Sequence, residues 1–98
     1  MAQINIQNTA TNPYGWTFTV SIQEDNGATK HSVTVAKDYY EKLTGGKITP
    51  EELVKFSFDF LLAHEPKESI MSQFGLQLIQ KYFADYENSI KFKLADLG

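Results

Sequence analysis

The stretch "TPEELVKFSFDFLLA", residues 49–63, limits the possible folds more than any other part of this chain. Phe56-Ser57-Phe58-Asp59-Phe60 alternates apolar and polar as a half-buried strand does. What precedes it is helix-starting chemistry. Thr49 with Glu52 three residues on makes a capping box, Pro50 stands at the first helical position, and Glu51 puts negative charge at the positive end of the helix dipole. Glu51 to Lys55 and Lys55 to Asp59 are opposite charges at i, i+4. That spacing makes them neighbours on a helix and leaves them ~13 Å apart along a strand. The stretch is therefore expected to be a helix.

At roughly 100° per residue, Leu53, Phe56, Phe60 and Ala63 fall on one side and Val54, Phe58, Leu61 and Leu62 on the other. Only a stripe of Glu51, Glu52, Lys55 and Asp59 stays polar. A helix that is apolar on two sides needs two covers, either the chain's own hairpin and a further helix, or a second copy. The second alternative predicts a homodimer with Phe58, Leu61 and Leu62 at or near the contact.

Upstream, Trp16, Phe18, Val20 and Ile22 alternate with Thr17, Thr19, Ser21 and Gln23, and alternation resumes through His31, Val33 and Val35. Between them lies "EDNGAT", with Asn26-Gly27 suited to the positive φ angles of a tight turn. This predicts a β-hairpin. Ile4 and Ile6 suggest an added N-terminal strand, giving a three-stranded antiparallel sheet, although residues 1–12 are poor in large apolar groups and fraying is the alternative. "KDYYEKL" reads as a short helix closed by Thr44-Gly45-Gly46. Beyond Pro66, "PKESIMSQF" reads as one or two helical turns with Ile70, Met71 and Phe74 inward, Gly75 as a break, and "LQLIQKYFADY" as a further helix. "NSIKFKLADLG", residues 88–98, alternates at Ile90, Phe92 and Leu94 and reads as a late strand or a frayed tail. The expectation is one α+β domain over residues 1–98: a β-hairpin or three-stranded sheet followed by three to four helices packed on one face.

Composition removes several classes of function. All nine cations are lysine and the net charge is -3, so the arginine fork that recognises phosphate and guanine is absent and no basic tract attracts nucleic acid or anionic lipid. There is no cysteine, hence no thiolate nucleophile or thiolate metal site. The N-terminal residues lack the pattern of a secretion signal and no apolar run reaches membrane-spanning length, which predicts a cytoplasmic protein.

Each candidate for chemistry has a plainer reading. His64-Glu65 opens like a zincin motif, but no second histidine follows at the required spacing, leaving a histidine at a helix end. His31 on an inward strand face reads as a core-edge residue satisfied by a neighbour, with catalysis the alternative. "LTGGKIT" lacks the first glycine of a phosphate loop, since position 41 is Glu. Glu51 with Glu52 and Glu65 with Glu68 sit where first helical turns favour acids. No catalytic, cofactor-binding or metal-binding residue is assigned.

Three resemblances complete the reading. "HSVTV" followed by a short helix, a Gly-Gly turn and a capped helix resembles the ribbon-helix-helix repressors, which implies DNA contacts from the outward residues Lys30, Ser32 and Thr34. "SIMSQFGLQLIQKYF" superficially resembles a helix-turn-helix, but Lys81 stands where packing requires a buried valine or isoleucine. "TPEELVKFSFDFLLAHEPKESI" with "LIQKYFADYE" resembles a group of small, uncharacterised bacterial proteins, differing at Gly75, where they carry an acidic residue, and Ala84, where they carry proline. That resemblance implies a bacterial setting and supplies no activity. The leading expectation is a non-enzymatic interaction or regulatory module without a cofactor, whose partner is another protein or a second copy. The alternative is a DNA-binding regulator of ribbon-helix-helix or antitoxin-like type.

Overall fold

The computed structural model describes residues 2–96. Strands β1 (Gln3–Asn12), β2 (Gly15–Glu24) and β3 (Gly27–Ala36) form an antiparallel meander. Helices α1 (Lys37–Thr44) and α2 (Pro50–His64) follow, then a 3-10 turn (Lys67–Ser69), a short strand β4 (Gln73–Gly75), and helices α3 (Gln77–Tyr82) and α4 (Tyr86–Asp96). The sheet order is β1-β2-β3-β4, with β4 parallel to β3. The α+β expectation therefore stands, with four strands rather than three.

The hairpin register places Val20 beside His31, Phe18 beside Val33 and Trp16 beside Val35, so one sheet face carries the apolar set. Phe18, Val20, Ile22, Val33 and Val35 are buried there. The N-terminal strand is paired along its length, from Gln3 opposite Gln23 to Asn12 opposite Gly15, with a register shift between Asn8 and Ala10. The β2–β3 turn is centred on Asp25-Asn26, and of the expected pair Asn26-Gly27 only Gly27 takes a positive φ. Asn26 has another task, described below.

The capping box of α2 forms in full: Glu52 N–H donates to Thr49 Oγ1 at 3.1 Å, and Thr49 N–H donates to Glu52 Oε1 at 2.9 Å. Lys55 pairs with Asp59 at 2.8 Å, and among the described residues the Glu51–Lys55 pair is not made. Helix α1 ends where expected, at Gly45 with φ 62.

Both apolar sides of α2 are covered by the chain itself. Phe58 lies against the sheet side, with its ring 5.6 Å from that of His31 and 6.0 Å from that of Phe74. Phe60, on the other side, meets Tyr86 of α4 edge-on at 5.5 Å and Phe83 at 5.9 Å. The sheet and α4 thus enclose α2.

Two sequence expectations are corrected. Residues 70–74 are not helical: Ser32 N–H donates to the Ser72 carbonyl at 2.7 Å and Leu76 N–H to the Thr34 carbonyl at 3.1 Å, so β3 captures this segment as β4. Of residues 88–98, those described form neither a strand nor a tail but continue helix α4 from Tyr86 to Asp96, because Tyr86, Ile90 and Leu94 recur every four residues and bury one face. Residues 1, 97 and 98 lie outside the described residues.

Candidate functional site

A concave apolar surface lies at the β4 edge of the sheet. The C-terminal part of α2, the 3-10 turn, β4 and α3 surround an open groove of about 460 Å³. Leu61, Ile70, Phe74 and Ile79 are buried and form its floor, while Phe83 closes one wall. Met71 and Tyr82 stand on the rim, 40% and 64% exposed. Glu65 and Ser69 contribute the polar side chains of the lining. A concave, mostly apolar surface with a few polar groups at its margin suits an apolar or aromatic group of a partner.

Each wall has an identifiable support. His31, buried in β3, receives a hydrogen bond from or gives one to Thr29 Oγ1 at 2.9 Å through Nε2, and its Nδ1 lies 2.7 Å from the Met71 carbonyl. A carbonyl only accepts, so Nδ1 carries the proton and fixes the chain at Met71. Phe83 is held by Phe60 and by the ring of His64, 5.4 Å away. His64 itself stacks on Phe60 at 4.3 Å and donates from Nδ1 to the Phe60 carbonyl at 2.9 Å, the helix-end role expected of it.

The 3-10 turn is fastened by Lys67. Its side chain is 1% exposed, and Nζ donates to Glu68 Oε2 at 2.6 Å, Asn26 Oδ1 at 2.8 Å and Glu24 Oε1 at 2.9 Å. One lysine thereby ties the β2–β3 turn to the lip of the groove. The hydrogen bonds to Glu68, then Glu24, raise the Lys67 pKa above its ordinary value, while burial opposes them. The hydrogen bond from Lys67 lowers the Glu68 pKa in turn. Glu24 and Glu68 are one-third and more than half exposed, so this network lies just beneath the surface.

Phe58 is fully buried and Leu61 is 3% exposed, so neither offers surface to a second copy, contrary to the dimer contact expected of them. The two-sidedness that prompted that expectation is satisfied within the chain. Leu62 is half-buried against the same core. Lys30, Ser32 and Thr34 do lie on the outer face of β3, but β3 is flanked by β2 and β4. A ribbon-helix-helix protein needs the edge of that strand for its partner's copy, and here β4 occupies it at Ser32–Thr34.

Thr29, His31 and the Met71 carbonyl form the order nucleophile, base, orienter, which is the formal arrangement of a catalytic relay. The His31 ring is covered by Phe58, however, and none of the cavities described here is lined by Thr29 or His31. Among the described residues, no three His, Asp or Glu side chains converge as a metal site would require. The buried hydroxyl pair Ser57–Tyr86 and the pair Tyr39–Glu87 are structural links between helices. Burial first, then the Glu87 carboxylate, holds the Tyr39 proton on well above the usual tyrosine range. Among the described residues, no helix is long and apolar enough to cross a membrane.

Protein-family models, curated proteins and solved structures gave no match to this chain. The groove is thus the feature from which function is argued. Sequence reasoning found its apolar residues but put Met71 inside a helix and missed the role of Lys67, because a lysine between Pro66 and Glu68 reads as solvated. The i, i+4 spacing of Ile70 and Phe74 reads as helical, so the sequence carries no local signal for β4.

Proposed function

We propose that this protein is a non-enzymatic interaction module that receives an apolar or aromatic anchor residue of a partner protein in the groove between α2 and α3. The observation that supports this reading is the pairing of a buried apolar floor with two large side chains, Met71 and Tyr82, left exposed on the rim. Methionine adapts its shape to different partners and tyrosine supplies rigid contact area, which are the properties of an adaptable protein-binding surface. Glu65 beside Ser69 favours an anchor that is followed by a cation or a hydrogen-bond donor.

Selection from a displayed random-peptide library, followed by amide chemical-shift mapping, tests this. Selected peptides should carry a Phe, Trp, Leu or Met anchor, shift the resonances of Met71, Tyr82 and Phe83, and lose binding to Tyr82→Ala and Met71→Glu. Peptides that map elsewhere, or no selection at all, overturn the reading. The DNA-binding alternative predicts retardation of mixed duplex DNA that weakens steeply with salt. Such behaviour would displace the groove from the centre of the function.

A further inference from the structure

We propose that the protein forms a two-fold homodimer by pairing strand β1 with β1 of a second copy. The site is at the opposite edge of the sheet from the groove and does not rest on it. β1 is a ten-residue edge strand, and Gln3–Asn12 contains no Asp, Glu, Lys, Arg or Pro. Edge strands of monomers are ordinarily guarded by such residues, because their unpaired N–H and C=O groups are a template for another strand. Here the guard is missing before the irregularity at Asn8/Ala10, where the register of the pairing with β2 shifts. The segment Gln3–Gln7 is the regular part of the edge.

A second copy fits this edge because the edge is complementary to itself. Antiparallel pairing about Asn5 sets Gln3 against the other copy's Gln7 and Ile4 against its Ile6, so that no like charges meet. Ile4 and Ile6 point to the core side yet are only half-buried. They face a surface hollow of about 280 Å³ whose other wall is Glu51, Glu52 and Lys55 of α2. The polar stripe of α2 therefore stands over the same point as the centre of the strand. The two-fold rotation that pairs the strands also runs the two α2 stripes antiparallel, bringing Glu52 of each copy toward Lys55 of the other. Isoleucines below and opposite charges above complete a core that one chain leaves open, and the partner is thus a second copy rather than a charged ligand.

Light scattering on the full chain at high micromolar concentration tests this, together with amide hydrogen exchange. The wild type should have twice the chain mass of 11.1 kDa, with slow exchange over Gln3–Gln7. Asn5→Lys places two cations against each other at the axis and should give a single-chain mass with an unchanged circular dichroism spectrum. Gln3→Lys combined with Gln7→Lys, which sets a cation against a cation on either side of the axis, serves the same purpose if Asn5→Lys does not fold. Tyr82→Ala, in the groove, should remain dimeric. A monomeric wild type, or a dimer that survives in both lysine variants as folded protein, overturns the proposal.

Discussion

Tyr86 of α4 and Ser57 of α2 meet through their hydroxyls at 2.6 Å in a part of the core that both residues enter with no exposed surface. Ser57 Oγ also lies 2.7 Å from the Leu53 carbonyl, which can only accept, so the serine proton goes there and the tyrosine donates to the serine. Burial keeps that phenol proton in place well above the usual tyrosine range. Ser57→Ala leaves a buried phenol with no acceptor and should cost ~1–3 kcal/mol, whereas Tyr86→Phe leaves the serine bonded to Leu53 and should cost ~1 kcal/mol. The smaller deletion is thus the more damaging one. In urea unfolding the double variant should lose less than the two single losses added together, because neither hydroxyl is then stranded.

Phe58→Ala should lower stability by ~3–5 kcal/mol, since the ring is wholly enclosed between His31 and Phe74. Read by light scattering on the folded fraction, the same variant should keep the oligomeric state of the wild type. A change of assembly with little change of stability would mean that Phe58 faces a second copy after all.

Lys67 and Glu68 make stability depend on pH at both ends. The Glu68 pKa is lowered by folding, so its contribution is complete above the ordinary carboxylate value of 4.5 and is lost as pH falls through the lower folded value. The Lys67 pKa is raised, so its contribution is complete below 10.5 and is lost as pH rises through the higher folded value. Lys67→Met should therefore reduce stability between these limits and flatten both the acid and the alkaline limbs of a plot of urea midpoint against pH. Because Lys67 ties Asn26 to the groove lip, the variant should also speed amide exchange over Lys67–Ser72.

Gly15 cannot be replaced. A Cβ built there would lie 2.1 Å from the Val35 carbonyl oxygen, and φ is +156. Gly15→Ala should destabilise by more than ~1 kcal/mol, as the strand pair must open to admit the methyl group. Gly45, at the end of α1, has φ 62 but open space around it, so Gly45→Ala should cost ~1–2 kcal/mol for conformation alone. Thermal melts of the two variants separate steric from conformational cost.

Thr49→Ala removes the acceptor for Glu52 N–H and should cost ~1 kcal/mol, with Thr49→Ser close to neutral. Loss of helix on the first turn of α2, seen as faster exchange at Leu53, is the local signature.

Sequence alone determined what local interactions decide. The capping box at Thr49, proline at the first position of α2, the glycine end of α1 and the strand alternation from Trp16 to Val35 all act between residues a few positions apart, and each is found where the sequence puts it. Two stretches carry a misleading alternation. In Phe56–Phe60 the capping chemistry exposes the helix, but Ile90–Leu94 has no such start signal, and only burial of Tyr86, Ile90 and Leu94 reveals α4. Tertiary structure decided the rest. Three residues are too few to show a period, so β4 exists because β3 offers an edge to Gln73–Gly75. Lys67 is buried because Glu24 and Asn26, more than forty positions away, close over it. The same holds for Phe58, whose second cover depended on where His31 and Phe74 came to rest. Side-chain pattern states that a face must be buried, whereas which surface buries it depends on contacts between distant parts of the chain.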